Sequence, residues 1–224
     1  MNDTSETKPS MFRQVARRAM AATLPRRLFM VSGPPSSRAI ALTFDDGPHP
    51  AHTPAVLDRL GALRVRATFF VVGSKAEAYP SLVARMAEEG HAVGHHSWSH
   101  GLPHETSATT LVAEARRTSI LLERITGRAT RLCRPPNGKL TLGKLLGLWS
   151  TGQAVVLWNR DPRDYALGAV DPLRRRLESQ PLSGGDILLM HDVHAHVAPV
   201  LDAIVERAAR VGLAFCTPDE WFHG

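Results

Sequence analysis

Seven short apolar runs recur along this chain, most of them followed by a longer amphipathic stretch, and that alternation restricts the fold more than any other feature. The runs are 39–44, 67–72, 91–94, 130–133, 154–158, 186–190 and 213–216. Most are continuously apolar, as strands covered on both faces must be. The stretches between them, at about 53–63, 75–89, 107–126, 139–150, 171–180 and 197–211, have the spacing of helices. The third starts from a cap near Ser107 and carries Leu111, Ala115, Ile120 and Leu121, while the last carries Val197, Val200, Leu201, Ile204 and Val205. Strands joined by helices of that length need crossover connections, so the expected class is α/β with a parallel sheet, open or closed into a barrel.

The polar residues favour the barrel. Asp45 and Asp46 follow the first run, His95 and His96 the third, Arg134 the fourth, Asn159 to Asp164 the fifth, and His191 with Asp192 the sixth. All five clusters fall at the carboxyl ends of strands, where parallel barrels keep their chemistry. Asp45-Asp46-Gly47-Pro48 has turn-forming composition, but two adjacent carboxylates repel at a strand end, and a cation relieves that repulsion. His96 and His100, four apart around Ser97-Trp98-Ser99, are placed for a turn that folds both rings onto one ion. One Asp and two His can hold a divalent ion and leave a position for water, with the second Asp free to take that water's proton. His95, as the adjacent residue, is expected to point elsewhere.

Three further segments fit the same mouth. Arg134-Pro135-Pro136-Asn137-Gly138 reads either as a rigid strand exit or as an arginine that fixes a carboxylate beside a turn offering a backbone N–H to an oxyanion. His191 reads either as a satisfied buried imidazole or as a general acid tuned by a carboxylate such as Asp164. His194 and His196 are expected to be solvated or capping, with a second metal cluster as the alternative.

Charge is concentrated ahead of the strands. Lys8, Arg13, Arg17, Arg18, Arg26, Arg27 and Arg38 face only Asp3 and Glu6 within the first 44 residues, which leaves +1 of the net +6 for the rest. The pI near 10.0 therefore describes residues 1–37, a basic N-terminal arm and linker ending in Gly33-Pro34-Pro35-Ser36-Ser37, and not a nucleic-acid face on the 38–224 domain. Met11, Phe12, Val15, Ala16 and Ala19 fall at helical spacing with arginines opposite. That helix is read as packing on the domain, or as a peripheral contact of residues 11–30 with an anionic membrane surface, or as an organelle-type presequence. No apolar segment of signal-peptide or membrane-span length follows the charges, so a cytoplasmic or peripheral membrane location is expected. Cys133 and Cys216 form no metal pattern and read as buried small hydrophobes.

Together these segments resemble the polysaccharide deacetylase family, the NodB-homology domains of carbohydrate esterase family 4, whose five motifs appear in order across residues 40–192. The resemblance implies a distorted (β/α) barrel with about seven parallel strands. It implies Asp46, His96 and His100 as ligands of a divalent ion, zinc by preference with other first-row ions allowed. Asp45 becomes the catalytic base, Arg134 its orienting residue, His191 the general acid and Asp164 its partner. Asn137 stands where the family usually has an aromatic, with its N–H at the oxyanion, and Tyr165 where it often has Trp. His95 replaces a common Asn. The implied reaction is removal of N-acetyl groups from amino sugars in a poly- or oligosaccharide. Alternatives are a deacylase or deformylase acting on a lipid-linked amino sugar, and a catalytically silent carbohydrate-binding module.

Overall fold

The computed structural model describes residues 11–222. Within them all seven expected strands form: β2 (Ala39–Asp45), β3 (Thr68–Val71), β4 (Ala92–His95), β5 (Leu132–Cys133), β6 (Ala154–Val156), β7 (Ile187–His191) and β8 (Ala214–Cys216). A two-residue strand, β1 (Phe29–Met30), joins them from the segment read as arm. Every pairing is parallel, in the order β1-β6-β5-β4-β3-β2-β7, with β8 beside β2. The sheet curls until its ends meet. Arg160, just past β6, bridges Leu188 of β7, and Asp186 accepts from Asn159 Nδ2 at 2.7 Å and Arg160 Nε at 2.8 Å across that seam. Two residues of the polar cluster after the fifth run thus join the β6 and β7 sides of the curled sheet.

Helices α1 (Met11–Thr23), α2 (Thr53–Leu63), α3 (Gly73–Ala78), α4 (Pro80–Glu88), α5 (Ala108–Thr126), α6 (Leu142–Trp149), α7 (Asp164–Leu167), α8 (Val170–Glu178) and α9 (Leu201–Arg210) accompany the strands. Their ends follow local rules. Ser107 caps α5 by accepting from Thr110 N, and Gly127 ends it with φ 67; Thr141 caps α6 by accepting from Lys144 N. The single helix expected over 75–89 is in fact two, because Pro80 disfavours helical backbone at Tyr79 and starts a new first turn. The short α7 had no periodicity to announce it.

Alternation along β2 sets the layers. Leu42 and Phe44 face the helices in one buried cluster with Phe69, Val71, Leu188 and Met190, while Ala41 faces inward with Phe70, Val156 and Ile187. Thr43 and Asp45 share the inward face of Ala41. Helix α1 rests on a further buried cluster that includes Phe29, Leu145, Leu148 and Val155, through Met20, Ala21 and, just beyond the helix, Leu24, and Arg17 donates to Gly138 O at 2.5 Å. This contact favours the packed-helix reading. No described helix is long and apolar enough to cross a membrane.

Candidate metal centre and active site

Strand register brings the distant motifs to one rim. Asp45 is paired with His191 on one side and Phe70 on the other, and Val71 pairs with His95, which pairs with Cys133. The residues after these positions, Asp46, His96 and Arg134, therefore leave the barrel at nearly one level.

Asp45 is buried, and its Oδ1 accepts from Arg134 Nη1 at 2.6 Å. Arg134 itself is 0% exposed. Its guanidinium lies 4.1 Å from the centre of the Phe70 ring and donates to Val156 O at 2.9 Å, Leu157 O at 3.0 Å and Thr43 Oγ1 at 2.9 Å. A buried cation so fully engaged fixes one carboxylate oxygen by a charge-assisted bond and leaves the other, Oδ2, 3.7 Å from His96 Nε2.

Asp46 departs from the strand with φ 70. Its Oδ1 stands 3.2 Å from His100 Nε2 and 3.5 Å from His96 Nε2, buried and with no hydrogen-bond partner. His96 Nδ1 lies 2.6 Å from the carbonyl oxygen of Arg134, which can only accept, so Nδ1 carries the proton and Nε2 turns its lone pair toward Asp46. Burial holds this imidazole below its ordinary pKa despite Asp45 and Asp46, which keeps it neutral. Burial alone would raise Asp46, but His96, His191, His100 and Lys75 outweigh it and hold the carboxyl below its usual range. An anionic oxygen and imidazole lone pairs turned on one another repel unless a positive charge sits among them. Atoms roughly 2.0–2.2 Å from a tetrahedral ion stand about 3.4 Å apart, close to the spacings Asp46 makes here. The donor set fits a divalent cation. Among the described residues these three form the one group of His, Cys, Asp or Glu close enough to share an ion, so the alternative second cluster at His194 and His196 is not found. His196 Nε2 instead meets the backbone oxygen of Asp164 at 2.9 Å, and His194 stacks on it.

The turn carrying both imidazoles is held from outside. Ser97 and His100 take positive φ of 63 and 54. Glu114 of α5 accepts from Trp98 N at 3.1 Å, Ser99 N at 3.3 Å and Ser99 Oγ at 2.7 Å. From α3, Gly73 N and Ser74 N donate to the carbonyl oxygens of Ser97 and Trp98, each at 3.0 Å. A Cβ on Gly73 would come within 2.6 Å of the Trp98 ring, so only glycine lets the helix approach this closely. Arg117 lies over the indole, 3.2 Å from a ring centre.

Opposite, His191 Nδ1 lies 2.8 Å from Asp164 Oδ1, and the other oxygen of that buried carboxylate accepts His191 N at 2.7 Å. Burial would lower the imidazole, but Asp164, then Asp46 and Asp45, overcome it and raise His191 to about 10. Tyr165 sets its ring edge-on to His191 at 5.4 Å. Asn137, with φ 55, occupies the turn after Arg134. His95 is buried away from the cluster, where burial lowers it to about 3. Asp192 was missed as a working residue. It is buried, accepts from Thr53 Oγ1 at 2.5 Å, and lies so close that a Cβ on Gly47 would meet it at 2.2 Å. It thereby braces the Asp45-Asp46-Gly47-Pro48 turn, and burial raises its carboxyl to about 7. Its only sequence signal was adjacency to His191.

The family model described as polysaccharide deacetylase matches residues 32–153. The peptidoglycan-N-acetylmuramic acid deacetylase PdaC of Bacillus subtilis is 36% identical over 183 residues, 82% of this chain and 38% of that protein. A peptidoglycan-N-acetylglucosamine deacetylase of Bacillus cereus is 32% identical over 199 residues, 87% of this chain and 72% of that protein. The chain thus spans well under half the length of the first relative and most of the second. A crystal structure of the Bc1960 peptidoglycan N-acetylglucosamine deacetylase superposes with a TM-score of 0.82 at 30% identity, covering 87% of this chain and 92% of that one.

Proposed function

The chain belongs to the polysaccharide deacetylase family, and from that premise we propose that it is a carbohydrate N-deacetylase that hydrolyses N-acetyl groups on amino sugars of a glycan. One observation carries the proposal. Asp46, His96 and His100 converge within 4.8 Å of one another beside the Asp45–Arg134 pair, with His191, paired to Asp164 of α7, on the strand next to Asp45. A silent binding module has no use for a held base and a held acid beside three ion-binding donors, and burying such charges costs free energy that only their pairing offsets.

Asp46, His96 and His100 would hold the divalent ion, with zinc favoured by a nitrogen-rich set of three. When bound, the ion supplies positive charge that polarises an acyl oxygen and acidifies a water. The chain supplies the proton transfers. Arg134 holds Asp45 Oδ1, so Oδ2 is the oxygen that takes a proton from the attacking water. His191, with Nδ1 engaged by Asp164, is protonated at neutral pH and gives a proton from Nε2 to the departing amine. The Asn137 N–H is assigned to the oxyanion, and Tyr165 to a wall of the sugar site beside His191. The products are acetate and a free amino sugar.

The test is metal analysis of purified protein joined to acetate release from N-acetylglucosamine oligomers and from peptidoglycan. The expected result is one divalent ion per chain and metal-dependent release. Protein that carries the ion yet releases no acyl group from any glycan would defeat the proposal.

A further inference from the structure

A cleft of about 340 Å³ opens beside the rim, between α1, the loop that follows His100 and the segment that follows Asn137. Met20, Phe29 and Leu157 give it apolar walls. Its charged lining is of one sign: Arg17, Lys139 and Lys144, with His104 at the edge and neither Asp nor Glu in the wall.

Lys144 is the informative member. Its residue is 6% exposed, and its ammonium donates to the carbonyl oxygen of Pro103 at 2.6 Å, a neutral acceptor. A buried ammonium facing a neutral acceptor retains a full charge that favours an anion nearby. Glu114 lines a small cavity on another side of Lys144, but its oxygens are engaged by Trp98 and Ser99. The half-buried Lys139 adds a second cation, and Arg17 braces the wall through Gly138 O. Gly138 directly follows Asn137, and Pro103 and His104 lie just past His100, so the cleft is lined by the segments that lead away from the rim.

We propose that this cleft takes a carboxylate-bearing substituent of the glycan, so that the preferred substrate is an acidic N-acylated glycan rather than a neutral one. The proposal rests on the deacetylase reading above and names its substrate class. The volume and the apolar walls suit an organic acid carried on a short carbon chain better than a small inorganic anion. The cations fix its charged end by charge-assisted hydrogen bonds.

The experiment compares two glycans of equal length, one carrying free carboxylates and the other carrying the same groups as neutral amides. With the metal-loaded full chain, kcat/KM for acyl release should favour the acid on the order of tenfold, the scale of one charge-assisted hydrogen bond. That preference should shrink as salt is added. Lys139→Glu should invert it through KM, and Lys139→Arg should restore it. Binding of both glycans to Asp45→Asn protein, followed by calorimetry, gives the same ranking without turnover. Equal kcat/KM and equal binding for the two glycans would overturn the proposal, as would a preference that survives Lys139→Glu intact. Absence of acyl release from either glycan would defeat the deacetylase reading instead, and the binding ranking would then decide this proposal by itself.

Discussion

Asp45 and Asp46 are neighbours with opposite surroundings, and that difference separates their chemistry. Asp45 stays on the inward face of β2 with one oxygen bonded to Arg134, whereas Asp46 turns out of the strand with an oxygen that only imidazoles face. Asp45→Asn keeps an acceptor for Arg134 but loses the base, so metal content should hold while turnover falls by roughly 10²–10⁴. Asp46→Ala should instead lose the ion, which mass-spectrometric metal analysis distinguishes from the first result. For His191 the sign of the pH effect follows from its raised pKa of about 10. The ion pair with Asp164 stabilises the protein fully below the ordinary imidazole value near 6.5, and that contribution is lost as pH rises through about 10. Asp164→Asn should therefore bring the alkaline limb of acyl release down toward the ordinary imidazole range. An NMR titration of the His191 ring checks the same shift, and an unmoved limb would remove Asp164 from its role. These pairs were legible because their residue types are chemically unusual at strand ends. Asp192 was not, since Thr53, 139 positions away in sequence, and the Gly47 backbone give it its task.

At the scale of elements, the strands were readable because burial on both faces leaves continuous apolar runs, and the helices because caps and periodicity are local. What escaped reading lacked either signal. The two residues of β1 have no period, α7 is a single turn, and the break before Pro80 is a backbone effect within an unbroken amphipathic pattern. The turn from His96 to His100 shows the same limit at the site. Its histidines were visible, but the reason they converge lies on α3 and α5, through Gly73 and Glu114. Removing the three acceptor contacts of Glu114 should loosen the turn without touching an ion ligand. Glu114→Ala is expected to weaken metal affinity by roughly 10–100-fold, the range for residues that orient ligands. Glu114→Gln, which keeps one carbonyl acceptor, should lose less. Competition titration against a chelator measures both, and wild-type affinity in the Ala variant would show that the turn holds itself.

For the molecule as a whole, composition and packing suggest different beginnings for the folded unit. Charge and the Gly-Pro-Pro-Ser-Ser stretch divide the chain at 37/38, yet Phe29 and Met30 are 1% and 0% exposed and complete the sheet beside β6. Val155 N and Leu157 N donate to Leu28 O and Met30 O, and the Trp149 indole also donates to Leu28 O. Gly33 N in turn donates to Gly185 O, and Gly33 packs on Trp221. A chain beginning at Arg38 would expose the β6 edge and forfeit the burial of Phe29, Met30 and Val31. At about 1.5–3 kcal/mol for each side chain, that loss is comparable to the roughly 5–15 kcal/mol that holds an ordinary domain together. Such a chain should aggregate or unfold well below the full-length Tm. A chain beginning at Pro25 loses only the partly buried Met20, Ala21 and Leu24 and should keep a cooperative transition a few degrees lower. It would also lose Arg17 and one wall of the cationic cleft, so its preference for acidic over neutral glycan should weaken while metal content stays whole. Thermal melts of the two truncations, read beside the glycan comparison, separate what residues 11–37 do for the fold from what they do for substrate choice. Equal melting of both would place the start of the fold at Arg38 after all.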